Sequence, residues 1–375
     1  MHVETVPESL RSRSTALFGK GLEKAVGVGL LPIRRNTKGC NGCSRCNFDC
    51  PHGAKMSVDH VYLPRALAAG AQIFPGCLVR KIVTKGGHAA GVVGQRIEGV
   101  DRRVVGKVQV TAPTVVAAGG AWHSPGLLQA SGVGRWKEQV GRHLTVHPGF
   151  RVMAAFTEKV EGWKGALQSA WTDRFERDGL SMISLFVPPG VLAATMPGIG
   201  RAHLAKAALI PHLGVFGGLI HDDGGGRVRR TWGREPLVTY RMSPKDRASI
   251  APLLTRMAEI WFAAGAKEVF LPVLGSEGVR NMDQVRRMRL EELHGSRFES
   301  GSQHPLGSCR IGNSADSSVV DSYGHAWDLP GLYVADGSIV PSSLGVNPQL
   351  TIMALATRVA WRLRETLGKK VAASA

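Results

Sequence analysis

The carboxyl-terminal stretch narrows the choice of fold more than any other feature. "SQHPLGSCRIG" (302–312) is followed by "GLYVADGSIVPSSLGVNPQLTIMALA" (331–356). "GLYVADGS" reads as a short buried strand that stops at Asp336-Gly337. A strand end of this kind turns backbone N–H groups toward the carboxyl edge of a sheet, where nucleotide ligands bind in open α/β folds. "NPQLTIMALATRVAWRLRETLG" reads as a long helix, with Asn347 as N-cap and Pro348 at its first position. The positive end of such a helix stabilises a negative charge beside it. His304 sits in an H-P-x-G turn, where Pro305 and Gly307 set the backbone.

A second unit repeats this logic upstream. "PTVVAAGGAWHSPGLLQASG" (113–132) is an apolar strand, a Gly-Gly turn and a helix with Ser124 as expected cap and Pro125 as expected first residue. The short apolar runs before it, "AQIFP", "CLVRKIVT", "AAGVVG" and "KVQVTA", predict a meander of strands. Further upstream, "PESLRSRSTALFGKGLEKAVG" has helical spacing of Leu10, Leu17, Phe18, Leu22 and Val26, bounded by Pro7 and Gly27. "SVDHVYLPRALAAG" reads as a helix kinked at Pro64. From Gly149 to Leu293 the texture changes. "FRVMAAF", "SMISLFV" and "LVTYRM" alternate as antiparallel strands do, and "KDRASIAPLLTRMAEIWFAAG" is a helix. The expected class is α/β (α+β), divided into residues 1–148, 149–295 and 296–375.

Composition removes several alternatives. The chain has 375 residues, with 43% hydrophobic and 20% charged, as soluble globular proteins do. The formal net charge is +18, yet the basic residues are scattered. Without an aromatic-interleaved basic stripe, a specific nucleic-acid surface is not expected, and a basic binding module is the weakest reading. The longest apolar stretches are broken by Pro and Gly, so no membrane span is expected. Six cysteines are present, four of them clustered. That pattern argues against a secreted disulfide framework and for a cytoplasmic setting.

Taken in order and spacing, the carboxyl-terminal motifs resemble those of the glucose–methanol–choline (GMC) family of FAD-dependent alcohol oxidoreductases. "CNGCSRCNFDCPHGAKMSVDHVYLPRALAAGAQI" is similar to the Cys-rich segment of its branch of cholesterol-oxidase-like and long-chain alcohol-oxidising enzymes. "TVVAAGGAWHSPGLLQASGVG" is similar to the second family signature, and "VGRHLTVHPGF" to the passage from flavin domain to substrate domain. The resemblance implies an FAD-binding Rossmann-like part plus an antiparallel-sheet substrate part, a small-molecule alcohol substrate and hydride transfer to flavin N5. It implies that His304 is the catalytic base and Asn347 its partner in the catalytic pair. It places Asp336 and Gly337 at the FAD ribityl–phosphate region, with Asn347 and Pro348 at the flavin. Val79 falls where the backbone meets the adenine, and Ala118 and Gly119 lie near the adenosine half.

The Cys40–Cys50 run has the spacing C-x2-C-x2-C-x3-C-P of bacterial ferredoxins. Three readings stand: Cys40, Cys43, Cys46 and Cys50 hold a [4Fe–4S] cluster, or zinc in a closed four-thiolate site, or they are small buried hydrophobes in a tight turn. The first makes an iron–sulfur electron-transfer protein on a flavoprotein-like scaffold the alternative function. A strand–GxGxxG–helix unit for the FAD pyrophosphate is expected of this family. "GKGLEKAVGVG" (19–29) has its glycines at the wrong offsets and no apolar strand before it. A truncated or split enzyme is therefore expected, partnered by a GxGxxG-bearing segment or subunit. The strands "TVVAA" and "GLYVA" are expected to be left uncovered, and the chain alone to lack flavin.

Overall fold

Local chemistry sets the ends of the first helix. It runs Arg13–Val26, capped by Ser12, whose side chain accepts from the Thr15 N–H, and it ends at Gly27 in the left-handed conformation. The start is later than Pro7, because residues Glu8–Leu10 form a separate 3-10 turn. The computed structural model describes residues 2–132, 138–196 and 199–373; Val133 and Gly134 of the second signature lie outside the described residues. Two compact units are present.

The first unit comprises residues 1–72, 148–221 and 244–301. Its centre is a six-stranded antiparallel sheet in the order Glu268–Phe270, Gly149–Ala155, Leu213–Ile220, Leu180–Ser184, Ala170–Thr172, Leu31–Pro32. Register pairs Phe216 with Val152 on one side and with Ser184 on the other. The helices Arg13–Val26 and Ile250–Ala263 lie together against this sheet. Phe18 stacks on Phe216 with ring centroids 3.7 Å apart and meets Trp261 edge-on at 5.0 Å. All three side chains are fully buried, and large aromatic payloads of this kind dominate core energetics. A Cβ on Gly21 would sit 2.1 Å from the Ile260 carbonyl oxygen. Gly21 thus permits close approach of two helices, which is its use here in place of a phosphate turn.

The second unit comprises residues 73–147, 222–243 and 302–375. A three-stranded antiparallel meander, Cys77–Lys85, His88–Glu98 and Arg103–Thr111, matches the expected run, except that "AQIFP" forms no strand. The strands Val115–Ala117 and Leu332–Val334 pair in parallel, with Tyr333 opposite Val116. Leu332, Val334 and Ala117 are buried in one apolar cluster with Leu128, Cys309 and Val359. Of the segments 114–118 and 331–335, expected to lie uncovered, Val116 and Ala118 are exposed and the others are buried or half-buried. Strand Leu237–Thr239, from the "LVTYRM" segment, pairs with Arg227–Arg229 outside the large sheet.

Both units mix helix and strand, so the α/β class stands. The grouping of segments differs from the division into 1–148, 149–295 and 296–375. Residues 1–72 belong to the unit with the large sheet, because the first helix buries Phe18 and Leu22 there. Residues 222–243 belong to the other unit. Among the described residues no helix is long and apolar enough to cross a membrane.

Candidate active site

Two parallel strands end side by side in the second unit, and Asp336 ties their ends together. Its Oδ2 accepts the Gly120 N–H at 2.9 Å and the Ser124 hydroxyl; its Oδ1 accepts the Ser338 N–H at 2.7 Å and the Ser338 hydroxyl. Ser124 Oγ in turn accepts the Gly119 N–H at 2.9 Å. Asp336 is 7% exposed, and a buried carboxylate persists when its lone pairs are met like this. The carboxylate therefore braces the turn, while Ala118 and Gly119 stay exposed above it. The helix after the turn begins at Gly120, not at Pro125. Pro125 has no N–H for the Ala121 carbonyl four residues back. Ser308 supplies the missing donor, its hydroxyl reaching that carbonyl at 2.8 Å. Val79 lies half-buried on strand Cys77–Lys85, opposite Gly94 and beside a bulge. That strand is fixed to the same helix by the Ile82 N–H donating to Ser131 Oγ at 2.8 Å.

His304 lies in a turn that only glycine can close. Gly307 has φ +83°, and a Cβ there would meet the His143 carbonyl oxygen at 2.3 Å. Leu306 and Thr145 exchange two backbone hydrogen bonds, of 3.0 and 3.1 Å. The His304 N–H donates to Ser302 Oγ at 3.2 Å, and that hydroxyl donates to the Val146 carbonyl. The His304 ring stands edge-to-face on His147, centroids 5.4 Å apart. Burial, with His147 adding to it, lowers the His304 pKa to about 4. Sequence alone suggests the ordinary value of about 6.5 for an imidazole; the difference comes from desolvation of the charged form. His304 is thus neutral at physiological pH, the form a base needs. Its Nδ1 is buried with no hydrogen-bond partner in the protein.

His147 was not singled out by sequence reasoning, although "HLTVHPG" carries it beside a proline. It is fully buried. Its N–H and that of Val146 donate to the two oxygens of Asp222, each at 3.1 Å, and the Tyr240 hydroxyl donates to the same carboxylate at 2.8 Å. Its Nε2 accepts the N–H groups of Leu344 and Gly345 at 2.7 and 2.9 Å. These residues precede Asn347. The terminal helix runs Gln349–Ala373. Its first hydrogen bond runs from the Ile352 N–H to the Pro348 carbonyl. Pro348 therefore holds the cap position expected for Asn347, and Asn347 is half-buried one residue earlier.

The cysteine loop lies in the first unit. Cys40, Cys43, Cys46 and Cys50 are all half-buried free thiols. Arg35 donates to Cys40 Sγ at 3.3 Å. Cys46 packs beside a cluster that includes Leu167 and Phe186, and burial raises its thiol pKa against the opposing pull of Arg35. Among the described residues no three His, Cys, Asp or Glu side chains are grouped to hold a metal ion. The iron–sulfur and zinc readings of this run therefore find no ligand set, and Cys46 matches the packing reading. Cys309 is fully buried in the core of the second unit, where burial pushes its thiol up.

The second unit offers donors and acceptors that suit FAD. Thr145 Oγ1, His304 Nδ1 and Ser343 Oγ are buried polar atoms without protein partners. Buried polar groups are rarely left so unless a ligand or ordered water meets them. All three belong to segments joined through Val146–His147, and the exposed Ala118–Gly119 turn sits at the end of the parallel strands.

Two models of the GMC oxidoreductase family match the chain, over residues 1–149 and 228–356. An uncharacterised GMC-type oxidoreductase of Mycobacterium tuberculosis is 36% identical over 96% of this chain and 56% of its own length. A long-chain-alcohol oxidase of Arabidopsis thaliana is 26% identical over 94% of this chain and 50% of its own. The chain spans about half the length of the curated relatives it matches. The crystal structure of pyridoxine 4-oxidase from Mesorbium loti shares the fold, with a TM-score of 0.70 at 17% identity over 96% of this chain and 71% of that one.

Proposed function

Because this chain belongs to the GMC oxidoreductase family, we propose that it takes part in FAD-dependent oxidation of an alcohol, with His304 as the base. One observation carries the reading. His304 is a half-buried imidazole, neutral above about pH 4, held in the Gly307-closed turn. A neutral imidazole can accept a hydroxyl proton. Bound FAD supplies the acceptor for the hydride that leaves the carbon. The alcohol thereby loses a proton to His304 and a hydride from carbon, and a carbonyl compound leaves.

Asn347 stands on the segment that His147 ties down. Its amide is proposed to donate a hydrogen bond to the substrate oxygen as negative charge develops there. Asp336 and Gly337, with the exposed Ala118 and Gly119, are proposed to line the ribityl and adenosine side, and the Val79 backbone the adenine. The pyrophosphate of FAD sits best on a Gly-rich turn that opens a helix. A segment bearing GxGxxG is therefore proposed as partner to the parallel strands, where Val116 is 44% exposed.

The test is anaerobic reduction of flavin by alcohol in the flavin-loaded protein. His304→Ala is expected to slow it by about 10²–10⁴-fold, the range for losing a general base. Asn347→Ala is expected to lose less, about 10²-fold. Near-normal reduction in His304→Ala would remove His304 from the role.

A further inference from the structure

Val146 and His147 sit where the His304 turn and the segment leading to Asn347 meet. The Val146 carbonyl accepts the Ser302 hydroxyl, which in turn accepts the His304 N–H. One residue on, the His147 Nε2 accepts the Leu344 and Gly345 N–H groups, and the His147 ring lies against His304. A side chain that merely filled space would need none of this.

The backbone tells the same story. His147 has φ +49°, a left-handed conformation uncommon for a residue with a side chain. Such geometry persists only where the surroundings over-determine it. Here the surroundings are Asp222, whose two carboxylate oxygens take the Val146 and His147 N–H groups, and Tyr240, which donates to that carboxylate. Asp222 is 3% exposed, so this anchor works away from water, where charge-assisted hydrogen bonds are strongest.

The tautomer follows from the donors. Two backbone N–H groups point at Nε2, so that nitrogen must offer a lone pair. The ring proton then resides on Nδ1. We propose that His147 is a positioning residue: a neutral imidazole, set by Asp222, whose Nε2 holds the Leu344–Gly345 amides and thereby fixes where Asn347 stands relative to the His304 ring. The catalytic use of this arrangement rests on the alcohol-oxidation reading above; the tautomer and the hydrogen bonds do not.

The experiment uses the full chain with ¹⁵N-labelled histidine. Long-range ¹H–¹⁵N spectra at neutral pH should show His147 with a protonated Nδ1 and a bare Nε2. A proton on Nε2 overturns the proposal without recourse to any variant. Hydrogen exchange then reads the clamp. In His147→Phe, which keeps the ring volume and removes the acceptor, the Leu344 and Gly345 amides should exchange at least about tenfold faster, while those of Val115–Ala117 keep their protection. His147→Gln, whose side-chain oxygen reaches about as far as Nε2, should recover most of the loss. Equal exchange in all three proteins overturns the proposal. So does flavin reduction that is unaltered in His147→Phe once exchange has quickened. If exchange and tautomer behave as expected and even the wild-type flavin-loaded protein leaves alcohols untouched, the reaction reading fails and the clamp stands.

Discussion

The Cys40–Cys50 loop and the region around His304 both carry a motif of conspicuous spacing, and they part company in three dimensions. In the loop, the four thiols are half-buried, one is met by Arg35, and one packs among apolar side chains. Around His304, the fold brings a buried carboxylate and two imidazoles set edge to face from segments far apart in the chain, and three buried atoms there lack protein partners. Spacing is a property of a few neighbouring residues. A site needs desolvation and an unmet hydrogen-bonding valence, and those arise only where distant segments converge.

The largest effect expected from pressing this comparison is on Asp336. Asp336→Ala removes the acceptor of four donors at the two strand ends, three of them on the buried Ser124 and Ser338. Loss of such a buried network costs about 3–5 kcal/mol. Urea unfolding should show it as a lowered midpoint with a similar slope. A cost below about 1 kcal/mol would mean that the turn repacks easily and that the second unit is no better braced than the cysteine loop.

An intermediate effect is a pH dependence. The folded-state His304 pKa, lowered to about 4 by burial first and then by His147, lies below the unfolded value of about 6.5. Between those two values the unfolded chain binds more protons, so stability rises with pH across the window. This contribution is complete above about pH 6.5 and is lost as pH falls toward 4. Comparing urea midpoints at several pH values in wild type and His304→Phe isolates it. The variant should show a flatter profile; identical profiles would place His304 in contact with water and undo the contrast with the loop.

The smallest effects belong to the cysteines. Cys40→Ser, Cys43→Ser and Cys50→Ser should each change stability by no more than about 0.5 kcal/mol, the usual range for positions away from a core or a network. Cys46→Ser should cost more, about 1 kcal/mol, since it puts a hydroxyl among apolar neighbours. Metal analysis of anaerobically purified protein sharpens the point. Stoichiometric iron or zinc would show that the loop rearranges into a ligand set, and the comparison would collapse.

Much of the local architecture is legible in the chain. Gly27 ends the first helix as a left-handed cap, Pro64 lies within its helix, and the meander from Cys77 to Thr111 has its strands over three of the short apolar runs. Each of these depends on side chains within one turn or one strand of the residue concerned. Boundaries that depend on remote partners are less legible. Ser124 and Pro125 look like a helix start, yet the helix begins at Gly120, because Ser308 satisfies the carbonyl that Pro125 abandons and Asp336 captures the Ser124 hydroxyl. Asn347 looks like a cap, and the first helical bond falls instead to Pro348.

What the sequence by itself determined is the list of chemically able residues: a histidine in a turn closed by glycine, an asparagine before a long helix, an aspartate at a strand end, and the order that marks the family. Only the tertiary structure decided which of them meet, and how deeply each is buried. Asp336 meets Ser124 across 212 positions, His147 meets Asp222 across 75, and Gly345 reaches His147 across 198. Propensity and turn chemistry are settled by neighbours along the chain, whereas burial and hydrogen-bond completion are settled by whatever the fold brings near, and burial is what lowers the His304 pKa.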